Sequence, residues 1–407
     1  MYVTLLAILF ASAFAQEMHL AANYSGDAFF DLWNYKSFEG TGIQLLTVYL
    51  IGVVNFTDQV FAREQNLLFV NSVGNIIMKT DNFTDGSSNS SFVRNSLQLL
   101  SKDPITPGTL MIMDAVHMPF GCAVWPAFWM NGGPNWPQLG EIDIVENINL
   151  ATNNAYNLHT TQGCKASTQV QITGDLISTD CFNVTNHDQG CKVTDSDLSY
   201  GSGFANNGGG AFAFLWNDDG MKIWFFPRPT IPADLPSANP NPDTWGTPTA
   251  FYPSSTCDTT KFFGPQTLIL VESTVIFSLP TSWLTTLPEI CSYVQEINVC
   301  GNFAVEKFND TCSSVAAQCT DVVPNPAAFD EAYFEIRYIT TFSNSTILKA
   351  NTTGGSSSSD PSPSGTAGSQ TPSAQANSKS NGHSLSILGP LSVLSGAVAL
   401  LFAFASY

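Results

Sequence analysis

From Asn23 to Phe342 the hydrophobic positions come in short runs. Leu67-Leu68-Phe69-Val70, Asn75-Ile76-Ile77-Met78 and Ala211-Phe212-Ala213-Phe214-Leu215 are separated by Gly, Asn, Pro and Asp turns, and no helical period is sustained. Short strands closed by turns predict an all-β sandwich or barrel.

One run carries charge. Gly140-Glu141-Ile142-Asp143-Ile144-Val145-Glu146 interleaves three acids with β-branched residues, which favour a strand. Alternate side chains of a strand share a face, so Glu141, Asp143 and Val145 would point together and Glu146 would point away. A single bulge between Asp143 and Glu146 returns Glu146 to the carboxylate face, and bulges often sit beside active sites. Ile142 and Ile144 then pack into the core beneath. Like charges on one strand face repel, so stability gives no reason for the row. Glycoside cleavage does. One carboxylate attacks the anomeric carbon while a second, protonated, hands a proton to the leaving oxygen. A third acid between them shares a proton or hydrogen bond and keeps the two titrations apart.

Upstream lies Trp125-Pro126-Ala127-Phe128-Trp129. Together with Glu-x-Asp-x-x-Glu, this block resembles glycoside hydrolase family 16, in particular its fungal-type endo-β-1,3(4)-glucanases. Further matching blocks are Arg94-Asn95-Ser96, Asp114-Ala115-Val116-His117, His159-Thr160-Thr161-x-Gly163-Cys164, Asn207-Gly208-Gly209-Gly210 and Lys222-Ile223-Trp224-Phe225-Phe226-Pro227-Arg228. They extend over most of Gln16 to Phe342. The resemblance implies a concanavalin-like jelly roll of two curved antiparallel sheets, with a substrate cleft across the concave one. It also implies a retaining endo-β-glucanase that needs no cofactor and no metal and works as a monomer on β-glucan. Glu141 would attack, Glu146 would serve as acid and base, and Asp143 would support Glu141.

For the rest of the cleft, the resemblance places Trp125, Trp129 and Trp136 around the glucose subsites, where sugar faces stack on aromatic rings. It places His159 near the leaving-group side. Arg94 and Asn95 would hydrogen-bond sugar hydroxyls, and Arg228 would neighbour the cleft. Each has a plainer role open to it: a tryptophan as core filler, His159 as a satisfied buried histidine, Arg94 as a partner for an acid. Where related enzymes often carry Trp after Cys-Gly-x, this chain has Cys300-Gly301-Asn302-Phe303. Phe303 offers a smaller stacking face there.

The charge balance narrows the partners. With 33 acidic and 14 basic residues the formal net charge is −19, which disfavours nucleic acid and anionic lipid and suits a neutral polymer. Two rival functions share the fold. A wall-remodelling transglycosylase would use the same site with a sugar hydroxyl in place of water. A non-catalytic lectin would need no aligned acids.

Met1 to Ala15 is an apolar run ending Ala13-Phe14-Ala15, which reads as a secretory signal cleaved before Gln16. Eight sequons, at Asn23, Asn55, Asn82, Asn89, Asn183, Asn309, Asn344 and Asn351, agree with secretion. So do cysteines without any Cys-x-x-Cys pair, which argues for disulfides over zinc. Ser343 to Ser380 is rich in Ser, Thr, Gly, Pro and Ala and is expected to be a disordered, O-glycosylated stalk. Leu385 to Ala405 is an apolar tail without a basic flank. After small residues and a polar spacer, it reads as a glycolipid-anchor signal over residues 381–407, with Asn377 or Asn381 as attachment site. The expected location is therefore the cell surface, with membrane contact only through the anchor.

Two segments break the family pattern. Val271 to Gln295 interrupts what would be one strand from Thr267-Leu268-Ile269 into Ile297-Asn298-Val299, and it carries Cys291, the ninth cysteine. It reads as a foreign insertion, with translated intron sequence as one source. Thr41 to Ile51 is a second candidate of the same kind.

Overall fold

A computed structural model describes residues 18–37, 54–182, 184, 189–271, 299–300 and 302–344. The leader, the segment 41–51, residues 272–295 with Cys291, Asn183, Asn351 and everything past Asn344 lie outside the described residues. Among the described residues two eight-stranded sheets dominate. Numbered along the chain, the outer sheet runs β16 (Ala250–Pro253), β15 (Gly220–Pro227), β14 (Gly210–Asn217), β8 (Thr109–His117), β18 (Tyr333–Asn344), β5 (Ile76–Lys79) and β4 (Leu68–Val70). In this sheet β1 (Met18–Tyr24) also pairs with β18. The inner sheet runs β12 (Asp175–Leu176), β13 (Cys191–Thr194), β11 (Ala155–His159), β10 (Glu141–Glu146), β9 (Ala127–Asn131), β17 (Thr267–Val271), β7 (Gln98–Ser101) and β2 (Trp33–Tyr35). A short parallel pair, β3 (Val54–Phe56) with β6 (Arg94–Ser96), stands apart from both.

Alternation along the inner strands divides their faces. Ile142, Ile144, Phe128, Met130, Leu268 and Leu270 are buried with Met111, Met113, Phe212 and Phe214 of the outer sheet in one core. Each such side chain contributes about 1.5–3 kcal/mol by leaving water. The acids of β10 occupy the opposite face. The outer strands β8 and β14 read as continuous apolar runs because both of their faces are covered. Their second face, with Leu110, Ile112, Ala211, Ala213 and Leu215, lies under Leu235 and Trp245. The Trp245 indole donates to Asp234 at 3.1 Å, so its polar edge is satisfied.

The eight described cysteines form four disulfides: Cys122–Cys312, Cys164–Cys257, Cys181–Cys191 and Cys300–Cys319. The first fastens the short helix Phe308–Cys312 to the segment leading into β9, and the last ties Cys300, just before the helix Asn302–Glu306, to the start of the helix Cys319–Val322. The other two hold the chain around β11 and β13. Among the described residues no helix is long and apolar enough to cross a membrane.

Gly140 sets the entry into β10. Its φ is +74°, and a Cβ there would stand 2.2 Å from the Phe263 ring and 2.9 Å from the Phe262 carbonyl oxygen. Gly246 has nearly the same φ, +79°, with nothing within 4 Å of its Cβ position. Gly246→Ala should therefore cost only the left-handed backbone term, about 1–2 kcal/mol. Gly140→Ala should cost about 1–3 kcal/mol more, from the forced displacement of packed neighbours. Urea unfolding of the two variants measures the difference, and equal losses would contradict the packing at Gly140.

Candidate active site

The register of β9 against β10 runs Asp143↔Trp129, then Val145↔Phe128 and Glu146↔Ala127. Ile144 is therefore the extra residue of a bulge, at the place the acid spacing requires. Glu141, Asp143 and Glu146 share one face and are buried, with 1%, 2% and 9% exposure. A bulge leaves backbone groups without ladder partners. Asn154, fully buried, supplies both: its Oδ1 accepts from Glu146 N–H at 2.9 Å, and its Nδ2 donates to the Ile144 carbonyl at 2.8 Å. Ser199 Oγ accepts from the Asn154 backbone N–H at 2.8 Å and fixes that residue in turn.

Each glutamate receives an indole N–H. Trp136 Nε1 donates to Glu141 Oε2 at 2.5 Å, and Trp125 Nε1 donates to Glu146 Oε1 at 3.0 Å. Asn157, opposite Asp143 on β11, donates to Glu146 Oε2 at 3.3 Å. His159 faces Glu141 across the same pair of strands. Its Nε2 lies 3.4 Å from Asp143 Oδ2 and 3.9 Å from Glu141 Oε1.

Burial and mutual repulsion govern the protons here. Burial raises Glu146 to about 7, the Asp143 charge adds to the rise, and His159, Trp125 and Lys192 oppose it. Glu141 is pushed well above the usual carboxylate range by burial and by Asp143, against the pull of the His159 charge and the Trp136 N–H. For His159 burial alone would favour the neutral ring. The Asp143 hydrogen bond and the charges of the three acids outweigh it and raise the imidazole to about 9. Groups this close titrate as a unit. Near neutral pH the cluster holds an imidazolium and fewer than three carboxylate charges.

Among the described residues, Glu141, Asp143 and His159 bring ligand-type atoms within 4.8 Å of one another. A metal would bind the neutral imidazole and so would compete with the proton that the carboxylates favour on the ring.

Several residues expected at the cleft take their places in this cluster: Trp125, Trp136 and His159 touch or flank the acids. Trp129 stands opposite Asp143 on the carboxylate face, 2% exposed. Phe303 packs edge-on against Trp125 with ring centroids 5.4 Å apart. Others do not. Arg94 is fully buried, donates to the backbone carbonyls of Asp81, Thr84 and Val323, and lies 3.8 Å from the Asp81 carboxylate. Its guanidinium is enclosed between the Phe92 and Phe329 rings, so it ties loops together away from the acid cluster. Asn95, its neighbour on β6, accepts from Asn55 Nδ2 at 2.8 Å, on a strand outside the inner sheet. Arg228 follows β15 at the edge of the outer sheet, where it pairs with Asp114 at 2.7 Å and donates to the Gly208 and Ala115 carbonyls. Phe225 sits in the core and Phe226 under Trp245. Asn154 and Asn157 were not foreseen. The signal for Asn154 was the predicted bulge itself, whose unpaired N–H and C=O need a side-chain amide close by in sequence.

A jelly-roll sandwich whose inner sheet holds three buried acids under indole donors defines the class. Residues 50–274 match the family described as XgeA-like, catalytic GH16 domain, and the chain belongs to glycoside hydrolase family 16. It is 35% identical over 333 residues to a probable endo-1,3(4)-beta-glucanase of Aspergillus fumigatus, covering 80% of this chain and 45% of that one. The chain thus spans less than half the length of that relative. A probable glycosidase of Schizosaccharomyces pombe is 32% identical, covering 81% of this chain and 70% of its own. Among solved structures, Laminarinase 16A from Phanerochaete chrysosporium, with β-glucans in both donor and acceptor sites, is 30% identical with a TM-score of 0.67 over 80% of this chain and 99% of that one. An elongating family 16 β-1,3-glucosyltransferase is 31% identical with a TM-score of 0.66, over 80% of this chain and 100% of that one.

The indole donors predict opposite effects on a pH–rate profile. An N–H donor favours the ionised carboxylate, so removing it raises the pKa of its partner. A Glu146 that must be protonated loses activity as pH rises through about 7. Trp125→Phe should move this alkaline limb to higher pH. A Glu141 that must be ionised loses activity as pH falls, and Trp136→Phe should move that acid limb up and narrow the profile. Activity on an oligosaccharide across pH 3–10 checks both; limbs that stay in place would contradict the assignment of donors to acids.

Proposed function

We propose that the chain is a retaining endo-β-1,3(4)-glucanase of the cell surface. The observation that carries this is the bulged β10, which sets Glu141 and Glu146 on one buried face with Asp143 between them. The two outer acids receive different partners. Glu141 has the His159 imidazolium at 3.9 Å, whereas Glu146 has no cation within ion-pair distance among the described residues. Burial raises both glutamates, and the nearer imidazolium is the partner we take to draw the charge to Glu141 and leave the proton on Glu146.

In the first step the Glu141 carboxylate attacks the anomeric carbon, the glycosidic C–O bond breaks, and the Glu146 proton passes to the leaving oxygen. In the second, Glu146 removes a proton from water, the water oxygen bonds the anomeric carbon, and Glu141 leaves as carboxylate. Asp143 and His159 hold the nucleophile's charge through both steps. The likeness to a laminarinase with glucans in donor and acceptor sites supports β-glucan as substrate. The leader, the sequons and the four disulfides support secretion; the terminal apolar tail supports the glycolipid anchor. A second reading keeps the site and replaces water with a sugar hydroxyl. The similar elongating glucosyltransferase favours it.

Glu141→Ala and Glu146→Ala should each lower glucan cleavage by about 10²–10⁴-fold or more without unfolding the chain. With an activated aryl glycoside and azide, Glu146→Ala should yield a β-glycosyl azide. Glu141→Ala should yield the α-azide, because the small anion replaces the missing nucleophile. Proton NMR of the products decides, and the opposite anomers would exchange the two roles.

A further inference from the structure

Lys192 stands on the carboxylate face beside the acid. It lies opposite Asn157 in the β11–β13 register, and facing residues of an antiparallel pair share a face. Asn157 in turn donates to Glu146. The Lys192 ammonium sits 6.0 Å from the centroid of the Phe303 ring, and Phe303 packs edge-on against Trp125, the second donor to Glu146. Trp125 and Asn157 touch Glu146, with Phe303 and Lys192 beside them, while Trp136 and His159 stand by Glu141.

The ammonium is half-buried, and no hydrogen bond or ion pair to it occurs among the described residues. Burial disfavours its charge, the nearby Glu146 favours it, and Lys307 opposes it. Three donors on a partly dehydrated cation are costly to leave unmade unless a ligand completes them. A neutral sugar offers several hydroxyl acceptors and an apolar face that fits a phenyl ring. Glu146 is the group that touches the leaving oxygen, so residues beside Glu146 flank the leaving-group side.

We propose that Lys192 is an acceptor-side binding residue: its ammonium donates to hydroxyls of the glucose unit beyond Glu146, over the Phe303 ring. It rests on the glucanase function above. When a sugar rather than water resolves the glycosyl-enzyme, that sugar sits here. Its hydroxyl gives its proton to Glu146, its oxygen bonds the anomeric carbon, and the Glu141–carbon bond breaks. Lys192 thereby biases the enzyme toward transfer.

The test uses the whole secreted chain with laminaritetraose as donor and increasing laminaribiose as acceptor, the products being separated by chromatography. Lys192→Met keeps the apolar stem and removes the donors. It should raise the acceptor concentration for half-maximal transfer about tenfold, the worth of one hydrogen bond from a charged group. Lys192→Arg should stay within about threefold of the wild type, since it restores a cationic donor. Lys192→Leu, which also lacks donors, replaces Lys192→Met if the latter fails to fold. An unchanged acceptor dependence in Lys192→Met would overturn the proposal, even if the alkaline limb of the pH profile moves, because Lys192 would then only tune Glu146. A wild-type chain that neither cleaves nor transfers glucan would sink the glucanase function instead. Lys192 is then judged by laminaribiose binding, followed by tryptophan fluorescence: weaker binding in Lys192→Met upholds its role and equal binding overturns it.

Discussion

Asn154 closes the bulge, and the geometry of the site depends on that closure. With a regular strand, Glu146 would point into the core and the cluster would hold two acids. The extra residue, Ile144, turns it back but strands a backbone N–H and a carbonyl in a dry interior, where an unmade hydrogen bond costs about 1–3 kcal/mol. One amide side chain answers both groups. It is held by Ser199 and flanked by β11, whose Asn157 reaches the acid itself. The backbone distortion and the buried Glu146 carboxylate thus share one support.

The acids would be destabilising by themselves. Three carboxylates removed from water repel one another, and burial is the largest cause of the raised pKa of both glutamates. The protein offsets this with two indole N–H donors, the Asn157 amide and an imidazolium. Two disulfides brace the chain around these strands: Cys164–Cys257 joins the segment after β11 to the one after β16, and Cys181–Cys191 joins the segment before β13 to its first residue. A site that stores protons in a low-dielectric place must be rigid, since each donor acts over about 3 Å.

Strand alternation made the acid face, the bulge and the core role of Ile142 and Ile144 legible in the sequence, because period-two patterning is a local property. The tryptophan block was legible for the same reason: it lies on the neighbouring strand and in the loops around it. Arg94 and Arg228 were not. A motif next to a strand does not say which of two stacked sheets the strand joins, and Arg228 follows β15 on the outer one. Arg94 belongs to the separate β3–β6 pair and turns to loop carbonyls far away in sequence. Lys192 gave no signal, since its neighbourhood arises only when β13 pairs with β11.

The central claim is that Glu141 carries the covalent sugar while Glu146 keeps the proton. The most direct measurement is trapping with an activated 2-deoxy-2-fluoro laminaribioside, in which fluorine slows the second step, followed by peptide mass spectrometry. One glycosyl mass on the peptide that holds Glu141, assigned to that residue by fragmentation, is the predicted result. A label on Glu146, or no label while the released sugar has the inverted anomeric form, would contradict it.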